Sequence, residues 1–213
     1  MKQANNIQGL YVITDNRPQS TAPLLGQVEQ AISGGARVIQ YRDKGLDHEQ
    51  RQQQAQALRE LCHQHGATLI INDDPQLALQ VGADGVHLGQ DDVSITSARK
   101  LLGKQAIIGI SCYNQLDNAI QAEQAGADYV AFGSFYPSPT KPEAKIATLP
   151  LLQQARQQLS IPIVAIGGIT ADNGARLISA GATALAIISG IFAQTDITTA
   201  ARTYTRLFDD PEP

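Results

Sequence analysis

The chain has 213 residues, a formal net charge of −4 and 43% hydrophobic residues. This length suits one α/β barrel, and the lack of any lysine or arginine block excludes the electrostatic footprint of a nucleic-acid-binding protein. Two cysteines, Cys62 and Cys112, are too few for a disulfide framework, so we expect a reduced, cytoplasmic setting. No segment resembles a signal peptide or a bilayer span, so we expect no membrane association.

Eight short apolar segments alternate with amphipathic stretches along the chain. Each segment is rich in β-branched residues, as expected of parallel strands that are covered on both faces. The stretches between them, such as 47–65 and 150–158, have the pattern of helices. Eightfold alternation with right-handed crossovers predicts a single (β/α)8 TIM barrel of the α/β class. The predicted strands are 10–14, 38–41, 68–71, 85–88, 107–110, 129–132, 163–166 and 184–188.

A glycine-alanine phrase recurs just before four of the predicted strands. It occurs at 34–36, 82–84 and 126–128, with a looser copy at 181–183. Glycine can adopt the positive φ of a helix C-cap, so these phrases indicate helix-to-strand turns and not chemistry. We expect one domain over residues 1–213, with 209–213 as a flexible tail.

In a TIM barrel the loops that follow the strands carry function. Gly167 and Gly168 follow strand 7, and Ser189 and Gly190 follow strand 8. Small residues at these two places allow backbone N–H groups to approach a phosphate at a helix amino end. The alternative is that they are ordinary turns, but both occur where barrel enzymes commonly hold phosphate.

Strand 2 ends in a run that contains two cations. Gln40, Arg42 and Lys44 share one side with Val38 if the strand extends that far. A solvated strand end would explain one basic residue. Two cations beside a glutamine at a barrel mouth are better explained by an anion with more than one charge.

Strands 3 and 4 both deliver carboxylates to the same rim, Asp73 and Asp74 from one and Asp91 and Asp92 from the other. Magnesium is usually held by one or two carboxylates together with waters and phosphate oxygens, so the sequence predicts a Mg²⁺ site here. Asp74 or Asp91 is alternatively only a helix N-cap.

Two further post-strand segments carry polar groups. The loop after strand 6 contains prolines, hydroxyls and Lys141, and can fold over a site. Ser111 follows strand 5, where a ligand contact and an ordinary capping role remain open. His87 lies within strand 4 and is expected to be packed and hydrogen-bonded. No pattern of nucleophile and base stands out, so covalent catalysis has little support.

Taken together, these motifs show that the chain resembles thiamine-phosphate synthases over almost its whole length. They occur in the order expected for that family and cover six separate segments. These are Gly-Leu-Tyr-Val-Ile-Thr-Asp at 9–15, Gln-Tyr-Arg-Asp-Lys at 40–44, Ile-Asn-Asp-Asp at 71–74, Gly-Val-His-Leu-Gly-Gln-Asp-Asp at 85–92, Pro-Thr-Lys at 139–141 and Ala-Ile-Gly-Gly-Ile at 165–169.

The resemblance implies a reaction in which 4-amino-5-hydroxymethyl-2-methylpyrimidine diphosphate alkylates a thiazole phosphate, giving thiamine phosphate and pyrophosphate with Mg²⁺. Family members bind the pyrimidine diphosphate through residues matching Gln40, Arg42, Lys44, Asn72 and Lys141, and the metal through those matching Asp73 and Asp92. The residues matching Ser111 and Lys141 face the pyrimidine or its leaving group. The thiazole phosphate is implied to contact positions matching Ser138, Thr140, Gly168, Ile188 and Ser189. Arg42, Lys44, Ser111 and Lys141 are therefore expected to act in catalysis.

One position departs from the family pattern. Tyr113 stands where many relatives have histidine, and in the thiazole tautomerase branch that histidine transfers the proton while the diphosphate and metal motifs are degraded. This chain has the reverse pattern, which favours a synthase over a tautomerase-like isomerase. A non-catalytic barrel that binds a phosphorylated metabolite is a second alternative. The sequence does not indicate an oligomeric state.

Overall fold

The structure is a computed structural model that describes residues 7–15, 17, 19–137 and 146–209. Eight parallel strands form a closed barrel in chain order, and β8 pairs with β1. This confirms the predicted TIM barrel. The strands are β1 Gly9–Ile13, β2 Val38–Tyr41, β3 Thr68–Asn72, β4 Gly85–Leu88, β5 Ile107–Tyr113, β6 Tyr129–Gly133, β7 Ile163–Ile166 and β8 Ala184–Ile187.

Helices follow the strands in the described part of the chain, and two of them follow β8. None of the helices in the described ranges is both long and apolar enough to cross a membrane. The helices are α1 Thr21–Ser33, α2 His48–Gln64, α3 Pro75–Val81, α4 Ile95–Leu102, α5 Leu116–Gln124, α6 Leu149–Gln158, α7 Ala171–Ser179, α8 Ser189–Phe192 and α9 Ile197–Arg206.

Side chains alternate between the two faces of each strand. In β1, Leu10 and Val12 pack outward against the helices, whereas Tyr11 and Ile13 point into the barrel. This period of two divides the core into an outer layer and an interior cluster. The interior cluster comprises Ile7, Tyr11, Ile13, Val38, Ile70, Ile107, Tyr129, Ala131, Val164, Ala184 and Ala186.

The barrel interior also contains a large phenol ring that needs a small neighbour. Tyr129 is fully buried, and its register partner on β5 is Gly109. A Cβ atom at Gly109 would lie 1.9 Å from Cζ of Tyr129. Glycine at 109 is therefore the residue that lets a phenol occupy the centre of the barrel.

The glycine-alanine turns lie at the base of the barrel, the end at which the strands begin. Gly35, Gly82, Gly126 and Gly181 all have positive φ, as predicted for helix-to-strand turns. Gly82, with φ 66°, ends α3 as its left-handed C-cap. Of the predicted tail, only Asp209 lies among the described residues.

Candidate active site at the mouth of the barrel

The carboxyl ends of the strands form the mouth of the barrel, and the end of β2 is tied there to the end of β1. The Thr14 hydroxyl accepts a hydrogen bond from the backbone N–H of Arg42 at 2.8 Å and lies 3.1 Å from its carbonyl oxygen. This exchange fixes the backbone of Arg42 at the rim. The structure records no ion pair for the Arg42 guanidinium within the described ranges.

The strand β2 ends at Tyr41, as predicted, so the condition under which Gln40, Arg42 and Lys44 would share one side of it is not met. The Asp43 carboxylate accepts hydrogen bonds from the backbone N–H groups of Gly45 and Leu46 at 2.9 and 2.7 Å, which turns the chain away from the sheet. Lys44 nevertheless reaches the rim, with Nζ 4.0 Å from the Asp73 carboxylate. Strand parity is therefore not what orients Lys44.

Asp73 and Asp92 come together at the mouth from adjacent strands. Burial raises the pKa of the Asp73 carboxyl, and the charge of Asp92 and a hydrogen bond shared with it raise that pKa further. Lys44 and Asn72 oppose this shift. Asp73 has φ 63°, a conformation that aspartate tolerates better than most residues. Two carboxylates that repel each other when both are ionised form a site suited to a cation.

The neighbouring carboxylates have other surroundings. Asp74 is the N-cap of α3, accepting from Leu77 N–H at 2.9 Å, and it pairs with Arg51 at 3.1 Å. This confirms the capping alternative for Asp74. Asp91 is exposed and is not a cap, because Ser94 is the N-cap of α4.

The capping alternative for Ser111 is wrong. β5 continues to Tyr113, where the backbone has φ 54° and the register with β6 shifts, so Ser111 lies inside the strand. Its Oγ is 2.8 Å from Nε2 of His87. No local pattern indicates this pair, because the two residues are 24 positions apart along the chain.

The serine and histidine do not form an activated nucleophile. Burial lowers the pKa of His87 to about 4, which makes its imidazole a weak base. Its other nitrogen, Nδ1, faces the Tyr129 hydroxyl at 2.9 Å and not a carboxylate. The adjacent Cys112 is also unsuited, because burial raises the pKa of its thiol to about 12. Neither environment activates a nucleophile at these two positions.

Sequence reasoning missed two phenols that join Gln40 to this pair. Gln40 Nε2 donates to the Tyr11 hydroxyl at 2.8 Å, and the Tyr11 and Tyr129 hydroxyls are 2.9 Å apart. Burial raises the pKa of both phenols, so both stay protonated. The available signal was parity: Tyr11 shares the inward face of β1 with Ile13, two residues along.

The glycines after β7 are close-packed turns. Gly167 and Gly168 have φ of 101° and 62°. A Cβ atom at Gly168 would lie 2.6 Å from the carbonyl oxygens of Tyr136 and Pro137. Beyond β8, Ile188 is the N-cap of the short helix α8, whose first residue is Ser189. A short extra helix beside strands 7 and 8 is the usual phosphate-binding arrangement of this fold.

The remaining predicted site residues either lie around this rim or fall outside the described residues. Ser138, Thr140 and Lys141 fall outside the described residues. Asn72 is the last residue of β3 and lies beside the Asp73 carboxyl. Tyr113 is 40% exposed and is the last residue of β5.

The comparisons with known proteins decide the family. A family model described as thiamine monophosphate synthase matches residues 10–191. The chain belongs to this family. It is 56% identical over 205 residues to the thiamine-phosphate synthase of Nitrosococcus oceani, covering 96% of this chain and 94% of that protein. The thiamine-phosphate synthase of Thioalkalivibrio sulfidiphilus is 53% identical over 203 residues, covering 95% and 96%.

A solved structure shows the same relation at the level of the fold. The thiamine phosphate pyrophosphorylase of Pyrococcus furiosus superposes with a TM-score of 0.88 and is 33% identical, with 98% of each chain covered. The membership predicted from the motifs is confirmed, and the chain is accordingly a transferase of the thiamine-phosphate synthase type.

Proposed function

We propose that the chain joins 4-amino-5-hydroxymethyl-2-methylpyrimidine diphosphate to a thiazole phosphate, forming thiamine phosphate and releasing pyrophosphate. The observation that carries this proposal is the family match over residues 10–191, together with a mouth that offers cations and paired carboxylates but no activated nucleophile among the described residues. Such a site suits departure of an anionic leaving group without a covalent enzyme intermediate.

Arg42 and Lys44 are proposed to bind the diphosphate. The Arg42 backbone is fixed by Thr14, and Lys44 lies beside Asp73 at the same rim. Both cations stabilise the negative charge that grows on the leaving group as the carbon–oxygen bond breaks. The aminopyrimidine delocalises the resulting cation, and the thiazole nitrogen then attacks it. Asn72 and Lys141 are assigned to the same substrate by their family positions.

The residues present fit a magnesium ion. Asp73 and Asp92 supply hard oxygen ligands, and their mutual repulsion is relieved by a divalent cation. Mg²⁺ takes six ligands and is usually held by one or two carboxylates, so an ion bound by these two residues would keep open positions for phosphate oxygens and water. When bound, the ion supplies charge neutralisation of the diphosphate.

The thiazole phosphate is proposed to bind at backbone N–H groups of Gly168, Ile188 and Ser189. Support comes from their position at the ends of β7 and β8 and from the short helix α8. Gly168→Val does not test this site cleanly, because the added side chain would collide with the backbone oxygens of Tyr136 and Pro137 and disrupt packing. Ser138 and Thr140 are assigned to the thiazole by family position alone.

The protein is further proposed to act as one domain in the reduced cytoplasm. Both cysteines are free and buried, as expected where disulfides do not form.

The deciding experiment measures pyrophosphate release from the two substrates with and without Mg²⁺. We expect release only when both substrates and the metal are present. Arg42→Ala should cost about 2 to 4 kcal/mol of transition-state stabilisation, as for loss of a charged donor to a developing charge. Binding of either phosphate without release would indicate the non-catalytic barrel, and rearrangement of the thiazole alone would indicate a tautomerase-like isomerase.

A further inference from the structure

Five side chains form a continuous line of hydrogen bonds across the barrel interior. The line starts at Gln40 on β2 and passes through Tyr11 on β1, Tyr129 on β6 and His87 on β4 to Ser111 on β5. Its successive heavy-atom distances are 2.8, 2.9, 2.9 and 2.8 Å. We call this line the interior chain. It joins Gln40 and Ser111, two of the positions that the family resemblance assigns to the pyrimidine substrate.

The direction of the interior chain follows from its first bond. Gln40 donates through Nε2, so the Tyr11 hydroxyl accepts there and has its own proton left for Tyr129. Tyr129 then accepts from Tyr11 and donates its proton to Nδ1 of the imidazole. Any reversal within the line would leave a buried phenol proton without an acceptor, which costs more than a hydrogen bond gains.

The proton positions at His87 and Ser111 follow from the same count of donors and acceptors. An imidazole that accepts at Nδ1 and is neutral carries its proton on Nε2, which therefore donates to Ser111 Oγ. The hydroxyl proton of Ser111 has no place in the chain and remains for another acceptor. At the opposite end, Oε1 of Gln40 has no hydrogen-bond partner among the described residues.

We propose that the interior chain holds His87 as the Nε2–H tautomer and thereby makes Ser111 a hydrogen-bond donor and Gln40 Oε1 an acceptor toward the substrate. This inference rests on the proposed function for the identity of that substrate. An aminopyrimidine has a donor in its amino group and acceptors in its ring nitrogens, which match the two ends of the chain. Tyr11, Tyr129 and His87 are positioning residues, because they act through Gln40 and Ser111.

Nitrogen-15 NMR of the ligand-free, histidine-labelled protein tests the tautomer directly. We expect a pyridine-type shift at Nδ1 and a pyrrole-type shift at Nε2 of His87, with the resonance assigned by its absence in His87→Asn. A pyrrole-type Nδ1, or averaged shifts that indicate both tautomers, would overturn the proposal. This measurement needs no substrate, so its outcome is independent of the proposed function.

A change at the remote end of the interior chain provides a sharper test. Gln40→Glu replaces the donor by an acceptor, so with its carboxyl ionised, as checked by the ¹³C shift, every bond should reverse and His87 should become the Nδ1–H tautomer. Gln54→Glu is the matched control, because Gln54 is a buried glutamine that bonds Tyr41 outside the barrel interior. An unchanged tautomer in Gln40→Glu would refute the coupling.

A variant that removes one hydrogen bond from the interior chain tests whether the tautomer of His87 affects catalysis. Tyr129→Phe should leave His87 as a mixture of tautomers and lower kcat/KM for the pyrimidine diphosphate about tenfold, the loss typical of one misdirected hydrogen bond. KM for the thiazole phosphate should not change. Tyr41→Phe removes a buried phenol outside the interior and should alter neither readout. A folded Tyr129→Phe variant that retains the pure Nε2–H tautomer would contradict the proposal, whereas a wild-type protein that releases no pyrophosphate would contradict only the proposed function.

Discussion

Carboxylates lie at both ends of the barrel, and their surroundings differ. At the base, Asp128 accepts from the backbone N–H of Ile108 at 2.9 Å and from Arg99. At the mouth, Asp73 lies 4.0 Å from Lys44 and beside a second carboxylate that raises its pKa. The carboxylate at the base is satisfied within the protein, whereas at the mouth two carboxylates lie together and the pKa of Asp73 is raised, as expected of a site for a cationic ligand.

The base uses the same device three times. Asp84, Asp128 and Thr183 each precede a strand and accept, through a side-chain oxygen, the N–H of a residue near the start of the strand before it. The backbone N–H of each also donates to a carbonyl of that earlier strand. Three of the four recurring phrases therefore do more than turn the chain, because their third residue joins neighbouring strands, whereas the third residue of the first phrase is Ala36 and donates back to Ala31.

The largest expected effect is on activity at the mouth. Asp73→Asn and Asp92→Asn keep the side-chain shape but remove the charge that would hold magnesium. We therefore expect kcat/KM to fall on the order of 1000-fold, a loss of about 4 kcal/mol of transition-state stabilisation, and the Mg²⁺ requirement to rise. Steady-state kinetics over a Mg²⁺ titration measure both. Asn also tolerates the φ of 63° at position 73 better than alanine.

Asp74→Asn and Asp91→Asn are the matched controls for these two variants. Asp74 caps α3 and pairs with Arg51, and the carboxylate that interacts with Asp73 is Asp92 and not Asp91, so the amides at 74 and 91 should leave the Mg²⁺ dependence unchanged. If instead the controls lost turnover and the first two variants retained it, the metal site would have to be moved by one residue in each loop.

At the base the corresponding change should affect stability and not activity. Asp128→Ala leaves the buried N–H of Ile108 without its side-chain acceptor and removes the carboxylate partner of Arg99, whose guanidinium keeps backbone carbonyl acceptors. This change should cost about 3 kcal/mol of unfolding free energy. Urea denaturation measures this loss. Asp128→Asn keeps one acceptor and should lose less. A changed KM for the pyrimidine diphosphate in a folded Asp128→Ala variant would show that the two ends are not independent.

Sequence patterns predicted the barrel because period-two burial and recurring turns are local properties. They also placed Gln40 correctly on the inward face of β2. For Lys44 they gave only a conditional placement, and the turn made by the Asp43 side chain removes the condition by ending the strand. They ended β5 too early, because the strand continues through Ser111 to the bulge before Tyr113. Both differences arise where a side chain or an irregular backbone overrides periodicity.

The interior chain lay beyond sequence reasoning for a different physical reason. Tyr11 and Tyr129 are 118 positions apart, and their contact depends on closure of the barrel and on the space left by Gly109. The deep burial of His87 was predicted, but its two partners were not. Long-range pairing of this kind is set by tertiary geometry, which no local pattern records.

A smaller effect is expected at the hydroxyl version of the base contact. Thr183 Oγ1 lies 3.0 Å from both the N–H and the carbonyl oxygen of Ile163. Thr183→Val keeps the shape of the side chain but removes the oxygen, so unfolding free energy should fall by about 1 to 2 kcal/mol. Thr183→Ser keeps the hydroxyl and should lose less than the valine variant. The reverse order in urea denaturation would mean that packing of the methyl group matters more than the contact.

The smallest effect should have the opposite sign and occur at the mouth. Burial and the neighbouring Asp92 raise the pKa of Asp73, so its charge opposes folding of the metal-free protein. Asp73→Asn removes that charge. Because the side chain is 38% exposed and solvent screens the charge, the free energy of unfolding should rise by only about 0.5 kcal/mol. Thermal unfolding in the presence of a chelator should therefore show a slightly higher Tm for this variant than for the wild type. Asp128→Asn, the same substitution at the base, should lower Tm under identical conditions.

Stabilisation by Asp73→Asn together with loss of activity would show that the mouth gives up stability for function. A lower Tm for both variants would instead mean that the two ends of the barrel use their carboxylates alike.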